Sequence, residues 1–396
     1  MEIFSYKYSI PYLLCFGWLI FLTLLEFEYI KKNRNVQLLH RITLVFLLIF
    51  FCFRGFVYTD WHSYYPYFAQ MPTLWSGDIQ GIFNGFPKFE YGFAFYTCLI
   101  KSIFPNYHFW IFISSAIDII ILNIFFKKYT KYYVFAFTVF FIFGAWIIGF
   151  NLMRNIKAIM FFILSLDYLL QRKMLPYMLL NITGIFFHIS AVVFLPLYFI
   201  LHREFPKMLL WIIFIVGNVI FLFQIGYIQP VFEFVAKFLG PAYIEKVDIY
   251  FSSSYKPQVL TLGYVERFLS YVLVVLFYKK LKIKNPVNII FANVFVIYFV
   301  FFFYFSEFVA ISQRMSGLFG FSYWVLYPNL YEQLQRVGNR VVFVTVFFVF
   351  AIGKTIIGND NILQRYDNLL FGIESYEERK EKLERSWEKI FKKPLP

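Results

Sequence analysis

Charge is what this chain has least of: only 15% of its 396 residues are charged, against 60% that are hydrophobic. A soluble domain carries roughly a quarter charged residues, so a water-exposed globule is excluded. Cysteine is nearly missing too. Cys15, Cys52 and Cys98 lie in or beside apolar runs at unrelated spacings, which points to neither a disulfide framework nor a metal site. No Walker lysine loop, dinucleotide glycine pattern, HExxH pair or carboxylate-rich metal loop is present. No metal, nucleotide or other cofactor is therefore expected, and energy coupling by ATP within the chain is not either.

What the sequence has in quantity is apolar length, with 58 Phe and 31 Tyr. Repeated apolar runs of this kind are what a bilayer requires. The expectation is an all-α polytopic membrane protein with about 11–13 transmembrane helices, short interfacial helices in its outer loops, and multi-pass placement in a membrane. The run Ile10 to Leu25 leads into Glu26 and Glu28 without a small-residue cleavage site, and reads as a first span rather than a cleaved leader. Candidate spans are 9–26, 41–57, 108–126, 132–150, 155–170, 175–201, 207–225, 262–278, 286–305, 315–331 and 340–357. Pro176, Gly184 and Pro196 interrupt 175–201, which is expected to be broken, and 90–104 is short for a crossing.

The formal charge of +14 would point to nucleic acid in a soluble protein. Here it fits cytoplasmic loops facing anionic lipid, and no nucleic-acid partner is expected. Basic clusters fall at Lys31 to Arg41, Lys127 to Lys131, Arg172 and Lys173, Arg203 and Lys207, Lys279 to Lys284, and Arg336 and Arg340. Placing all of them inside puts the N-terminus, loop 58–89, residues 151–157, loop 226–261 and Arg314 outside. Within the last of these loops, Val231, Phe232, Val235, Phe238 and Leu239 mark one face of an interfacial helix.

Residues 1–357 thus form the transmembrane domain, and 358–396 a charged amphipathic tail. In the tail, Glu378/Lys382, Glu381/Arg385 and Glu388/Lys392 are spaced as helical pairs. Tyr376, Leu383, Trp387 and Ile390 make a thin apolar stripe.

Ionisable groups at the mouths of spans are costly and so are the first functional candidates. On the outer side these include Arg54, Asp60, His62, Glu90, Arg154, Lys157, His188, Glu307 and Arg314. The guanidinium fork of arginine suits phosphate, although a helix-end arginine can also simply snorkel to headgroups. In "NLMRNIKAIMFFILSLDYLLQRK", Arg154 and Lys157 share a face in the first helical turn, where the helix N-terminus also favours anions. Asp167 reads as a local partner of Arg172. The stretch "FVYTDWHSYYPYFAQ" sets Asp60 and His62 among Trp61, Tyr64 and Tyr65. Rings with carboxylates suit sugars, or they form an aromatic belt at the interface. Glu90 is a second outer carboxylate, and His188 is a base, a phosphate donor or a helix–helix hydrogen bonder.

The order "FRG…TDWHSYYPYF", "EYGF", "NLMRNIKAIMFFILSLDYLLQRK", "FHISAVVFLPLYF", "QRMSGLF" and "QRYDNLLFG" resembles the EpsG family over about residues 40–370. These proteins are related to the Wzy polymerases of bacterial capsule, exopolysaccharide and O-antigen. The resemblance implies a polysaccharide polymerase, a glycosyltransferase joining undecaprenyl-diphosphate-linked oligosaccharide repeat units at the outer face of the inner membrane. It needs neither metal nor nucleotide, and works beside a flippase and a chain-length regulator. Arg154, Lys157, Arg314 and Arg54 would hold the diphosphate, and Asp60, Glu90 or His188 would take the proton. Trp61, His62, Tyr64 and Tyr65 would bind sugar. Two other classes fit the same residues: a flippase or transporter for lipid-linked oligosaccharide, and a membrane acyltransferase using His188.

Overall fold

The structure is a computed structural model, and it describes residues 2–84, 89–240 and 259–391. Among them there are helices and isolated bridges but no strand. The chain is an all-α polytopic membrane protein. Among the described residues, four helices are long and apolar enough to cross a bilayer: Tyr6–Lys31, Tyr107–Tyr129, Tyr133–Asn151 and Val337–Gly358. Shorter apolar helices include Gln37–Cys52, Met174–Ile185, Lys207–Leu222 and Asn288–Tyr304. The chain divides into two compact units, Met1–Leu195 with Leu334–Pro396, and Pro196–Gln333.

The first unit begins with α1 (Ile10–Lys31) and α2 (Gln37–Cys52). Short helices α3 (Trp61–Gln70) and α4 (Ile79–Asn84) follow in the loop expected to lie outside, then α5 (Tyr91–Ile103). With 13 residues α5 is about 20 Å long, too short to cross about 30 Å of hydrocarbon alone. Helix α6 (Tyr107–Tyr129) is opened by the Asn106 side chain, which accepts from the Phe109 N–H at 3.0 Å, and Lys127 and Lys128 close it. Helix α7 (Tyr133–Phe140) starts on Glu26, a buried α1 carboxylate that accepts from the Val134 and Phe135 N–H groups at 2.9 and 3.1 Å. It widens into a π-helical stretch, Phe141–Asn151, and α8 (Met153–Leu170) follows at once.

The expected break in 175–201 is present. Helix α9 (Met174–Ile185) lies against α8, where Asn181 donates to Ser165 Oγ at 3.0 Å. After Phe186–His188 the chain resumes as a 3₁₀ helix, Ile189–Phe199. The freed Phe186 carbonyl accepts from the N–H groups of Gly92 and Phe93, at 2.9 and 3.2 Å, capping the start of α5. A Cβ on Gly92 would sit 2.7 Å from Phe186 Cβ, so only glycine permits this approach.

Helix α16 (Val337–Gly358) returns the chain to the end of the unit where α1 begins, since Ser5 N–H donates to the Asp360 carbonyl at 2.7 Å. Residues 362–372 then brace the start of the outer loop: Gly55 N–H donates to Asp367 O, Tyr58 N–H to Leu363 O and Leu369 N–H to Phe53 O. The tail helix α17 (Tyr376–Phe391) lays the foreseen stripe of Tyr376, Leu383, Trp387 and Ile390 on the aromatic cluster of α3. Of the foreseen tail pairs, Glu381 does meet Arg385. Glu378 instead caps Ser375, and Lys382 goes to Glu374. The pair Glu388/Lys392 lies outside the described side chains.

The second unit contains α10 (Lys207–Leu222), α11 (Ile228–Leu239), α12 (Leu262–Lys284), α13 (Asn288–Tyr304), α14 (Val309–Phe319) and α15 (Ser322–Gln333). The single span expected over 315–331 is instead two helices that part at Gly320 and Phe321. Asn293 ties α13 to the carbonyls of Leu201 and Arg203. Helix α11 is amphipathic as foreseen: Val231, Val235 and Phe238 of the expected face are exposed together with Phe234, while Phe232 turns away and packs on Phe308. Residues 241–258 of that loop lie outside the described residues.

Candidate functional site

Three sequence candidates from distant segments meet at the mouth of α8. Arg154 Nη1 donates to Glu90 Oε2 at 2.5 Å, and Glu90 Oε1 accepts from the Ile189 N–H at 3.2 Å, next to His188. The local chain explains the meeting. Glu90 sits at the N-cap position of α5, and the Phe186 carbonyl pins that helix start to the break before Ile189. The ion pair is neither buried nor free, with side-chain exposures of 24% and 20%. The guanidinium carbon lies 4.3 Å from the centre of the Phe89 ring. Arg154 Nε is buried and meets no hydrogen-bond acceptor among the described residues. A buried unsatisfied donor on a charged group is costly and marks a site.

Asp60 is fixed beside this mouth by a residue that sequence reading passed over. Asn151 Oδ1 accepts from Asp60 N–H at 2.7 Å, from Thr59 N–H at 3.1 Å and from Thr59 Oγ1 at 3.2 Å. Asn151 closes the π-helical stretch three residues before Arg154, so one turn of backbone positions both. Tyr64 lies between them. Burial pushes its hydroxyl up, Asp60 adds to this, and Arg154 opposes it.

His188 Nδ1 takes the Ser190 N–H at 3.2 Å and Ser190 Oγ at 2.6 Å. A backbone N–H only donates, so this pattern places the neutral ring's proton on Nε2. His62 is partly buried beside Lys380, and both effects hold it below its usual value.

The other predicted residues lie elsewhere. Lys157, one turn deeper on α8, is buried: its ammonium meets both Asp118 oxygens at 2.8 Å and the Ser114 carbonyl at 2.6 Å. Arg54 is buried too, donating to the Phe51 carbonyl at 2.7 Å and to Ser115 Oγ at 2.5 Å. Arg314 is exposed on α14 of the second unit. Trp61 and Tyr64 are buried in the aromatic cluster, and Tyr65 is half-buried, stacked on Tyr376. Glu307 is a cap in the second unit, accepting the N–H groups of Tyr227, Ile228 and Gln229 at the start of α11. Asp167, expected as a partner of Arg172, pairs with Lys128 and Tyr129.

Among the described residues, no cluster of three or more His, Cys, Asp or Glu side chains is arranged to hold a metal ion. The arrangement at the α8 mouth is a guanidinium paired with Glu90, with the Nε donor unmet and Asp60 nearby. Compared with known proteins, residues 37–363 match the model of the EpsG family. No curated protein and no solved structure matches.

Proposed function

Because this chain belongs to the EpsG family, whose members are Wzy-polymerase-like membrane proteins of polysaccharide biosynthesis, we propose that it is a polymerase of lipid-linked glycan repeat units. The donor is a glycan on undecaprenyl diphosphate and the acceptor is a second lipid-linked unit, at the outer face of the inner membrane. A flippase supplies the units, and a chain-length regulator is a natural partner. The observation that carries this reading is Arg154, a half-exposed guanidinium held by one carboxylate and keeping a buried donor in reserve.

In this scheme the diphosphate takes the Arg154 fork and displaces Glu90. The acceptor hydroxyl attacks the anomeric carbon of the donor's first sugar, and the bond from that carbon to the diphosphate oxygen breaks. Arg154 stabilises the charge growing on the departing diphosphate. The hydroxyl proton passes to Glu90, now released, or to Asp60.

Changing Arg154 to Ala removes a donor made for the transition state, worth about 2–4 kcal/mol by comparison with oxyanion-hole donors. The rate should fall roughly 30- to 1000-fold at unchanged protein level. Lysine should restore little, since a point charge does not reproduce the fork. Single lipid-linked units should accumulate on the outer leaflet while polymer disappears. Units held on the cytoplasmic leaflet would mean a flippase instead, and normal polymer in the alanine variant would reduce Arg154 to an anchor.

A further inference from the structure

We propose that a cleft between α3, the start of α6 and the 373–377 segment is a glycan-binding subsite. The inference rests on the polymerase reading and deepens it by giving the sugar portion of the substrate a place. The cleft has a volume of about 590 Å³, within the range of about 300–1,000 Å³ typical of sites for small ligands. Its floor is aromatic, from Phe56, Phe68 and Tyr107, and one wall is the Tyr65–Tyr376 pair, stacked with centroids 4.1 Å apart at 15°.

Charge decides which part of the substrate fits. Lys101 lines the cleft but spends its ammonium on the Phe68 and Ala69 carbonyls, both at 2.8 Å. Two carboxylates, Glu374 and Glu377, are also on the lining. Glu374 is already engaged by Arg365, Arg379 and Lys382. Glu377 is exposed, and no hydrogen bond or ion pair holds it among the described residues. Glu374 is occupied by its three cations and Lys101 by two carbonyls, so the charged group the cleft leaves open to a ligand is the Glu377 carboxylate, which accepts from hydroxyls and not from a diphosphate. A neutral sugar presents C–H faces to the rings and hydroxyls to the carboxylate.

Continuity with the anion site comes from α3. Tyr64 turns toward Arg154 and Trp110, while its neighbour Tyr65 turns to the cleft. Successive helical residues diverge by about 100°, so one short helix presents one residue to each site. A lipid-linked glycan whose diphosphate sits on Arg154 would lead its sugars past α3 toward Tyr376.

The test uses full-length protein purified in detergent, and the oligosaccharide that mild acid releases from the cell's own lipid-linked units. Calorimetry should show binding to the wild type. Glu377→Gln, a change at an exposed carboxylate that leaves packing intact, should weaken it about tenfold, and Tyr65→Ala should weaken it further. Arg154→Ala should bind the released sugar as the wild type does, because that sugar carries no diphosphate. In cells, Glu377→Gln should shift polymer to shorter chains while repeat units are still consumed. Failure of the wild type to bind the oligosaccharide, or wild-type affinity in both cleft variants, overturns the subsite. Normal polymer in Arg154→Ala overturns the polymerase reading instead, so the two failures are told apart.

Discussion

Arg154 and Lys157 stand one turn apart on α8 with the same charge, yet the protein treats them differently. Lys157 is closed off: its side chain is 5% exposed and Asp118 is 9% exposed. Its three donors meet three acceptors, two from Asp118 and one from Ser114. Arg154 sits at the rim with five donors, and Glu90, with Tyr64 in reach, leaves Nε unmet. An ammonium can be saturated by one carboxylate and one carbonyl, whereas a guanidinium under the same supply keeps capacity for a ligand. One residue is therefore a structural pin, and the other keeps a donor in reserve for the proposed anion.

The sharpest way to break this contrast is to remove the pin. Lys157→Met strands Asp118 in an apolar interior and should cost about 3–5 kcal/mol of stability, while adding Asp118→Leu should recover much of it. Thermal unfolding of the purified variants measures both. If the single variant keeps its stability but loses activity, Lys157 belongs with Arg154 after all.

The receptor is probed next through its resident carboxylate. Glu90→Gln removes the negative charge that competes for Arg154. Substrate should bind at least as tightly, while turnover falls by about 10²–10⁴ if Glu90 takes the proton. Tighter binding with turnover intact would leave Asp60 as the base. A smaller effect is expected at Asn151. Its change to Ala leaves the Thr59 and Asp60 N–H groups without their acceptor, a loss of about 1–3 kcal/mol. Polymer yield should drop, with stability only modestly reduced.

Much of this fold was legible because bilayer spans advertise themselves by apolar length. The break in 175–201 was readable from its glycine and prolines. The parting of α14 from α15 was not, since the apolar pattern runs on through Gly320 and Phe321. At the site, Arg154 stood out by its place at a helix mouth, but its partner lies 64 residues away and no local spacing encodes that. Spacing i, i+3 put Lys157 on the same face without revealing that one turn, about 4.5 Å, carries it from the rim to the interior. Asp118 hid inside an apparently uniform span. Asn151 carries no charge and left no signal at all.

The weakest effect expected is on the tail. Burial pushes Glu374 up, but Lys382, Arg379 and Arg365 outweigh it, so the carboxyl stays below its usual value. A carboxylate depressed by folding contributes stability above its unfolded pKa, and that contribution is lost as pH falls through the folded value. Docking of α17 should therefore hold at neutral pH and loosen below about pH 4. Fluorescence of Trp387, which packs on the cluster of α3, follows it, and Glu374→Gln should loosen the helix already at pH 7.

The brace between the outer loop and residues 359–372 also sets an order of events during synthesis. Tyr58 bonds Asn359, 301 residues later, and Phe50 receives the Tyr366 hydroxyl across 316. At about 5–20 residues per second, a ribosome needs roughly 15–60 s to bridge that gap. For that interval α3 waits at the membrane with its aromatic face uncovered, and neither the anion site nor the cleft has its final walls. The outer-loop segment is thus completed only by the arrival of residues 359–377, and a chain released before them lacks both the brace and that wall of the cleft.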